Sequence, residues 1–432
     1  MITNYLKIAW RNLIKNKLHS VINIVGLATG MAVALLAGLW IWDEISFDSY
    51  FHNHKRLAQV MANQTDKGET YTGKTISMPL GEALRSKYSQ DFKYISLTSY
   101  TNEYLVVEGD KRFSRKGMWV QPDFTQMFTL AMVRGDRAAI KDPSSVLVSQ
   151  SLAKAIFADA DPLNKIIKIN NSFDLKVAGV YEDLPHNTNF YDVQLLLPWT
   201  HKENWLNKQE SWDNHCGQLF VQLNELSDFD KTTARIKSLP TPHIKAFSEE
   251  IMLHPLDKLH LYTEFENAKA IGGRIEFVWL FGTIGLFVLL LACINFMNLS
   301  TARSALRARE VGIRKTIGSL RKQLIGQFLS ESILVSLLAF LLAILLVQLS
   351  LPFFNNLADK QIPVPWNNYI YWLLALSFTI CTGLIAGSYP AFYLSAFKPI
   401  KVLKGVVQAG RFASLPRKVL VVAQFTVSVT MI

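Results

Sequence analysis

Gly68, Gly73, Lys74 and Thr75 satisfy the spacing G-x-x-x-x-G-K-[ST], a pattern that serves nucleotide binding. In that chemistry loop amides cradle the phosphates, the lysine reaches the terminal groups and the hydroxyl holds magnesium. Such a loop needs a strand before it and a helix opening at the Lys-Thr step, so that helix amides face the anion. Here residues 75–77 read on as strand and Pro79 opens the next helix late, so the match is a coincidence of spacing and no ATP site is expected. His52 with His54, and His215 beside Cys216, are pairs without the further ligands that a zinc site takes. Cys216, Cys293 and Cys381 are too few and too scattered for a disulfide framework. The chain therefore reads as non-catalytic, with no metal or cofactor expected.

A further group of residues suits binding instead of bond-making. Residues 300–324 carry Arg303, Arg307, Arg309, Arg314, Lys315, Arg321 and Lys322 against one acid, Glu310. The stretch is helical by composition. Val311, Ile313 and Ile317 offer an apolar docking face, and Gly312 and Gly318 permit close approach or a helix break. The arginines are expected to read phosphate headgroups or an acidic protein.

Apolar helices must position this segment. Residues 21–42 hold no charge, and 22 residues at about 1.5 Å rise cover a hydrocarbon core of roughly 30 Å. Residues 277–299, 325–351 and 369–394 read the same way, with Glu331 their single charged residue. Residues 419–432 begin a fifth run that stops after 14 residues, too few to cross, and this reads as a truncated span in a portion of a longer polypeptide. Charged residues make up 18% of the chain, below the roughly 25% usual in soluble domains, which again points to lipid.

A net charge of +11 would suit nucleic acid if it were spread evenly. Instead residues 1–20, 300–324 and 395–418 together hold +16, whereas 43–276 and 352–368 together hold −4. Short loops rich in Lys and Arg stay in the cytoplasm. The expected order is a cytoplasmic amphipathic helix in 1–20, span 21–42, an extracytoplasmic domain at 43–276, span 277–299 and a cytoplasmic loop at 300–324. Span 325–351, an outer loop at 352–368, span 369–394 and a cytoplasmic linker at 395–418 follow. The charge is thus a topology signal, and no nucleic acid partner is needed. Trp40, Trp42, Trp366, Tyr369, Tyr371 and Trp372 sit at expected outer ends, as an aromatic belt would place them.

Within residues 2–14, Ile2, Leu6, Ala9 and Leu13 form one stripe, widened by Tyr5 and Trp10, with Lys7, Arg11 and Lys15 elsewhere. That helix is expected to lie on the inner membrane surface. In residues 43–276 the patterning predicts strands at 57–64, 70–77, 94–99, 146–149, 175–180 and 219–223, and helices at 79–88, 151–157 and 228–238. The expected outcome is an α+β domain of two lobes.

Arg307, Glu310, Gly312, Ile313, Arg314, Lys315, Ile317 and Gly318 fit the signature R-x-x-E-x-G-[IV]-R-K-x-[IL]-G. On it, this segment resembles the coupling loop of the MacB/FtsX-type permeases of ABC transporters. Residues 5–13, 161–165, 255–262 and 387–399 agree, although Asn164 stands where that family is expected to have glycine. The resemblance implies an α-helical membrane protein with an inserted α+β extracytoplasmic domain, the MacB-like periplasmic core domain, and makes this chain the N-terminal four-span half of a tandem permease. It also implies that Arg307, Glu310, Val311, Gly312, Ile313, Arg314, Lys315, Ile317 and Gly318 couple to a separate cytoplasmic ABC ATPase subunit. Further partners implied are a second permease half, in the same longer chain or as a dimer, membrane lipids, and a periplasmic adaptor or envelope protein. The location implied is the inner (plasma) membrane with a cytoplasmic N-terminus. ATP-driven motion would then reach the outer domain for efflux, lipoprotein handling or envelope-enzyme control.

The alternative is a membrane receptor or scaffold whose outer domain binds a ligand or envelope protein, but the longest inner segment, of about 25 residues, leaves no room for an output module. A secondary carrier would show intramembrane charges or broken-helix pairs. Glu331 is expected to pair with a loop arginine such as Arg321. Asn295 and Asn298 should hydrogen-bond between helices, and Gly387 with Pro390 should kink the fourth span.

The charge partition makes a topology prediction. Engineered thiols at Ser114 and Ser304 should react with an impermeant reagent from opposite sides of the membrane of intact cells; labelling from one side would refute the arrangement.

Overall fold

The computed structural model describes residues 2–245, 247–302 and 304–396, together with 418–419, 421–422, 424–426 and 429. Arg303, the expected linker from 397 to 417 and part of 419–432 lie outside the described residues. The chain divides into two compact units, Asp43–Phe277 and the remainder on either side of it.

In chain order, α1 (Ile2–Lys15) and α2 (Lys17–Ile45) come first. They are followed by β1 (Leu57–Asp66), β2 (Glu69–Gly73), β3 (Ile76–Ser77), α3 (Pro79–Tyr88), β4 (Phe92–Thr98), β5 (Asn102–Glu108) and β6 (Lys111–Val120). Next are α4 (Asp123–Met127), β7 (Met132–Gly135), β8 (Ser145–Ser149), α5 (Gln150–Phe157), β9 (Ile166–Ile169), β10 (Phe173–Tyr181) and β11 (Leu195–Pro198). Then β12 (His215–Leu223), α6 (Phe229–Ile236), β13 (Ser248–Pro255), α7 (Leu256–Leu259), β14 (Glu264–Glu266) and β15 (Lys269–Gly272) complete the inserted segment. The last helices are α8 (Arg274–Ala302), α9 (Ser304–Thr316), α10 (Arg321–Ala358) and α11 (Tyr369–Ser395).

Among the described residues four helices, α2, α8, α10 and α11, are long and apolar enough to cross a membrane. Between such helices apolar burial gains little against lipid, so small residues that admit close backbone approach carry the packing. A Cβ built on Gly30 would fall 2.4 Å from the Ala292 methyl, and one on Gly285 would fall 3.2 Å from that of Ala37. These contacts press α2 onto α8. On the other pair, a Cβ on Gly387 would lie 2.5 Å from Ser332 Cβ, and Ser336 Oγ donates to the Thr379 carbonyl at 2.7 Å. Gly387 therefore serves contact, and α11 runs as one helix through the buried Pro390. Asn298 departs from expectation, because its buried side-chain oxygen has no partner among the described residues.

The unit Asp43–Phe277 is built on a 13-stranded sheet in the order β11-β8-β10-β9-β5-β6-β4-β12-β1-β13. Strand β11 also pairs in parallel with β6, from Leu195 opposite Gly117 to Pro198 opposite Val120, so six strands close into a ring. Strand β7 adds to that ring on β10, and the other six strands join it through Thr98 of β4 opposite Val120 of β6. The two lobes expected from the pattern thus share one ladder. Their cores divide by sheet face instead of by lobe, as the period of two along a strand requires. Val146 and Val148, Leu195 and Leu197, and Leu219 and Val221 enter one cluster with Leu84 of α3, Ile156 of α5 and Ile236 of α6. Their neighbours Leu147, Leu196 and Phe220 enter a second cluster with Phe124 and Met127 of α4 and Leu256 of α7.

Two buried carboxylates give this unit a pH dependence. Asp48 is fully buried, accepting from the Asn189 amide at 2.8 Å and from its side chain. Burial, opposed by those hydrogen bonds, pushes its carboxyl up to about 7. The folded unit then binds the extra proton, so stability falls as pH rises from the ordinary carboxylate range to about 7. His215 Nε2 lies 2.5 Å from the buried Glu249. Desolvation alone would lower the imidazole, but the hydrogen bond and charge of Glu249 outweigh it and raise the value. That contribution is complete below the unfolded value and is lost as pH rises through the raised one. Purified residues 43–277 should resist urea better at pH 5.5 than at pH 8, by roughly 1–3 kcal/mol. His215→Gln combined with Asp48→Asn should flatten that slope; a slope unchanged in the double variant would show that other groups set it.

Candidate coupling site

Helix α9 carries the basic segment. Its sequence is rich in Ala, Arg, Leu and Glu, all good helix formers, and Gly312 is accommodated inside it at a cost of about 1 kcal/mol relative to Ala. The break comes at the other glycine. Gly318 has φ +102°, the Ser319 amide donates to the Arg314 carbonyl at 3.0 Å and the Gly318 amide to that of Lys315 at 3.1 Å. This is the Schellman arrangement, in which the left-handed residue closes the helix without a Cβ penalty. Two residues on, the Gln323 side chain accepts from the Leu320 amide at 3.0 Å and starts α10.

The residues of the signature divide by face. Val311 is 2% exposed and packs with Leu324, Phe328, Ala391 and Leu394. On the same side Arg307 forks onto Glu331, at 2.5 and 3.1 Å, and lies over the Phe328 ring at 5.8 Å. Arg314 donates to Gln327 and also pairs with Glu310 at 2.6 Å. Lys315 Nζ donates to the Ser395 carbonyl at 2.8 Å, satisfying a terminal carbonyl of α11 where a cation is favoured. Gly312 is buried beside Val311. The opposite edge presents Ile313 at 45%, Ile317 at 80% and Leu320 at 65% exposure.

Two expectations change here. Arg307 and Arg314 turn inward onto α10 instead of reading a partner's phosphates or acids. Glu331 pairs with Arg307, while Arg321 reaches Ser395 Oγ at 3.4 Å. Sequence order misled, because Arg321 is nearer to Glu331 along the chain but starts the same helix ten residues away. Leu320 was not among the expected coupling residues. Its signal is its place three residues beyond Ile317, on an apolar stripe that continues past Gly318.

The nucleotide-like segment is a hairpin. Lys67 and Gly68, at φ +50° and +91°, form the two-residue turn between β1 and β2, and Asp66 pairs with Glu69 across it. Gly73 pairs with Ala62 in the ladder, Thr75 Oγ1 bonds the Tyr100 hydroxyl at 2.6 Å, and no helix opens at Lys74. His54 binds Asp257 and His215 binds Glu249, each at 2.5 Å, and among the described residues no cluster of three or more His, Cys, Asp or Glu is placed to hold a metal.

A cluster not anticipated lies within the unit Asp43–Phe277. Glu44 is fully buried, and its carboxylate accepts from His260 Nε2 at 2.6 Å and from the Arg274 fork at 2.8 and 3.2 Å. Phe47 stacks on the His260 ring at 3.5 Å. Opposite charges at the end of one apolar helix and the start of the next, Glu44 and Arg274, were the available clue.

Comparison with known proteins agrees with this architecture. Residues 20–239 match the MacB-like periplasmic core domain, just over half the chain, and residues 282–399 match the FtsX-like permease C-terminal domain. The chain is 21% identical to the uncharacterized ABC transporter permease YvrN of Bacillus subtilis, over 93% of this chain and 99% of that protein. It is 24% identical to the macrolide export ATP-binding/permease protein MacB of Campylobacter jejuni, over 92% of this chain and 60% of that one. The crystal structure of the periplasmic region of MacB from Actinobacillus actinomycetemcomitans aligns with a TM-score of 0.35 at 18% identity, covering 48% of this chain and 91% of that one. The four apolar helices among the described residues, the inserted α+β unit and both matched domains place this chain among multi-pass membrane proteins, in the MacB/FtsX family of ABC transporter permeases.

Proposed function

We propose that this chain is a non-catalytic permease half that carries ATP-driven motion of a separate cytoplasmic ATPase to the unit Asp43–Phe277 on the far side of the inner membrane. The observation that carries this reading is the apolar edge Ile313, Ile317 and Leu320, left uncovered on a helix whose other face is bound to α10 and α11. Exposed apolar side chains beside basic groups suit a protein partner, and such edges hold the few anchors that dominate binding. The charge partition supports a cytoplasmic α9 and N-terminus. In α1, Trp10 and Ile14 are exposed while Ala9 is buried, which suits a helix lying at the inner membrane surface. Scarcity of ionisable groups in the spans supports transmission of movement over passage of a charged substrate between them. Lipid and a second permease half are the partners that would cover the exposed apolar helix faces. The cargo class, whether exported compound, lipoprotein or regulated envelope enzyme, follows the outer unit.

Ile313→Asp with Ile317→Asp should leave membrane insertion and the protease-resistant outer unit intact while lowering the ATPase rate of the reconstituted complex roughly tenfold. Glu310→Lys, which removes the pair with Arg314, should act in the same direction more weakly. Unchanged coupling in the double Asp variant at normal expression would reduce α9 to a positive-inside loop.

A further inference from the structure

Arg307 and Arg314 are seven residues apart and so lie on one face of α9, while Gln327 and Glu331 are one turn apart on α10. The two helices meet as an antiparallel ladder. Arg307 takes Glu331, Arg314 takes Gln327, and Val311 packs between them against Leu324 and Phe328. Only one rung joins two full charges. Sliding α9 one turn in one direction would carry Arg307 toward the buried Val335 and set Val311 against Glu331, 8% exposed; sliding it in the other would take Arg307 from Glu331 to the neutral Gln327. Both slips part the Arg307–Glu331 pair. The cavity beside the pair, lined also by His19 and Asn23, measures about 30 Å³, enough for a water.

A buried ion pair adds little net stability, its desolvation cost offsetting its attraction, and its best-attested use is to select one register. We propose that Glu331 is a positioning residue: through Arg307 it fixes the register of α9 on α10, and transmission requires that register. The second part rests on the coupling role proposed above for α9.

The test uses the full-length protein with Cys216, Cys293 and Cys381 replaced and with cysteines at Val311 of α9 and Leu324 of α10, which share one core cluster. Cross-linking of that pair reports register with no ATPase present. In Glu331→Leu, cross-linking of correctly inserted protein should fall several-fold and coupled ATPase roughly tenfold, the scale for one coupling between contacting residues. Exchanging the charges, Arg307→Glu with Glu331→Arg, should restore both. Cross-linking unchanged in Glu331→Leu would overturn the register assignment and leave a pair that serves stability alone. Cross-linking lost but ATPase unchanged would overturn the coupling role of α9, and with it the transmitting role of Glu331. Ile317→Asp, expected to lower ATPase with cross-linking intact, separates a failed docking edge from a failed register.

Discussion

A charge among apolar helices is tolerated only where a partner meets it, and in the helical unit that requirement falls on Glu331. Its carboxylate takes both arms of Arg307, which sets one face of α9 inward. With that face committed, Val311 enters the core, Arg314 finds Gln327 and Lys315 caps α11. The outward edge of Ile313, Ile317 and Leu320 is what remains. That exposed edge is thus a by-product of where the charges had to go.

That inversion marks the limit of what the sequence could tell. Long uncharged runs, the basic short loops and the signature of residues 307–318 are local, and periodicity or counting reads them. Strands expected at 57–64 and 219–223 lie inside β1 and β12, and the helix expected at 79–88 is α3, its start marked by Pro79. Strand β6 escaped notice because four of its first six residues are charged, and β13 because two glutamates follow its opening serine. The ring closure through β11 pairs Leu195 with Gly117, far apart in the chain, and no local pattern announces it. For the coupling segment, composition supplied the residue types but not the direction each side chain takes. Arg307 and Arg314 look like ligands for a partner until α10 is seen to hold their acceptors.

Glycine does two different things here that a count would merge. Gly318 supplies a left-handed backbone that ends α9; Gly30 and Gly387 supply absent side chains where helices touch. Substituting alanine would therefore strain the first and crowd the second pair.

The cluster at Glu44 has a bearing on the integrity of the inserted segment. Its carboxylate and the Arg274 guanidinium are separated by 230 positions, and the ring of His260 comes from the far end of the inserted segment. Loop-closure entropy makes such a contact costly in an unfolded chain. A lone buried carboxylate is costlier still. Burial of Glu44 is therefore favourable only with the inserted unit folded, which brings both partners to it. The clamp thus ties the integrity of the inserted segment to the two helix ends that bound it, since a defect anywhere between Glu44 and Arg274 that displaces either partner leaves a carboxylate buried alone.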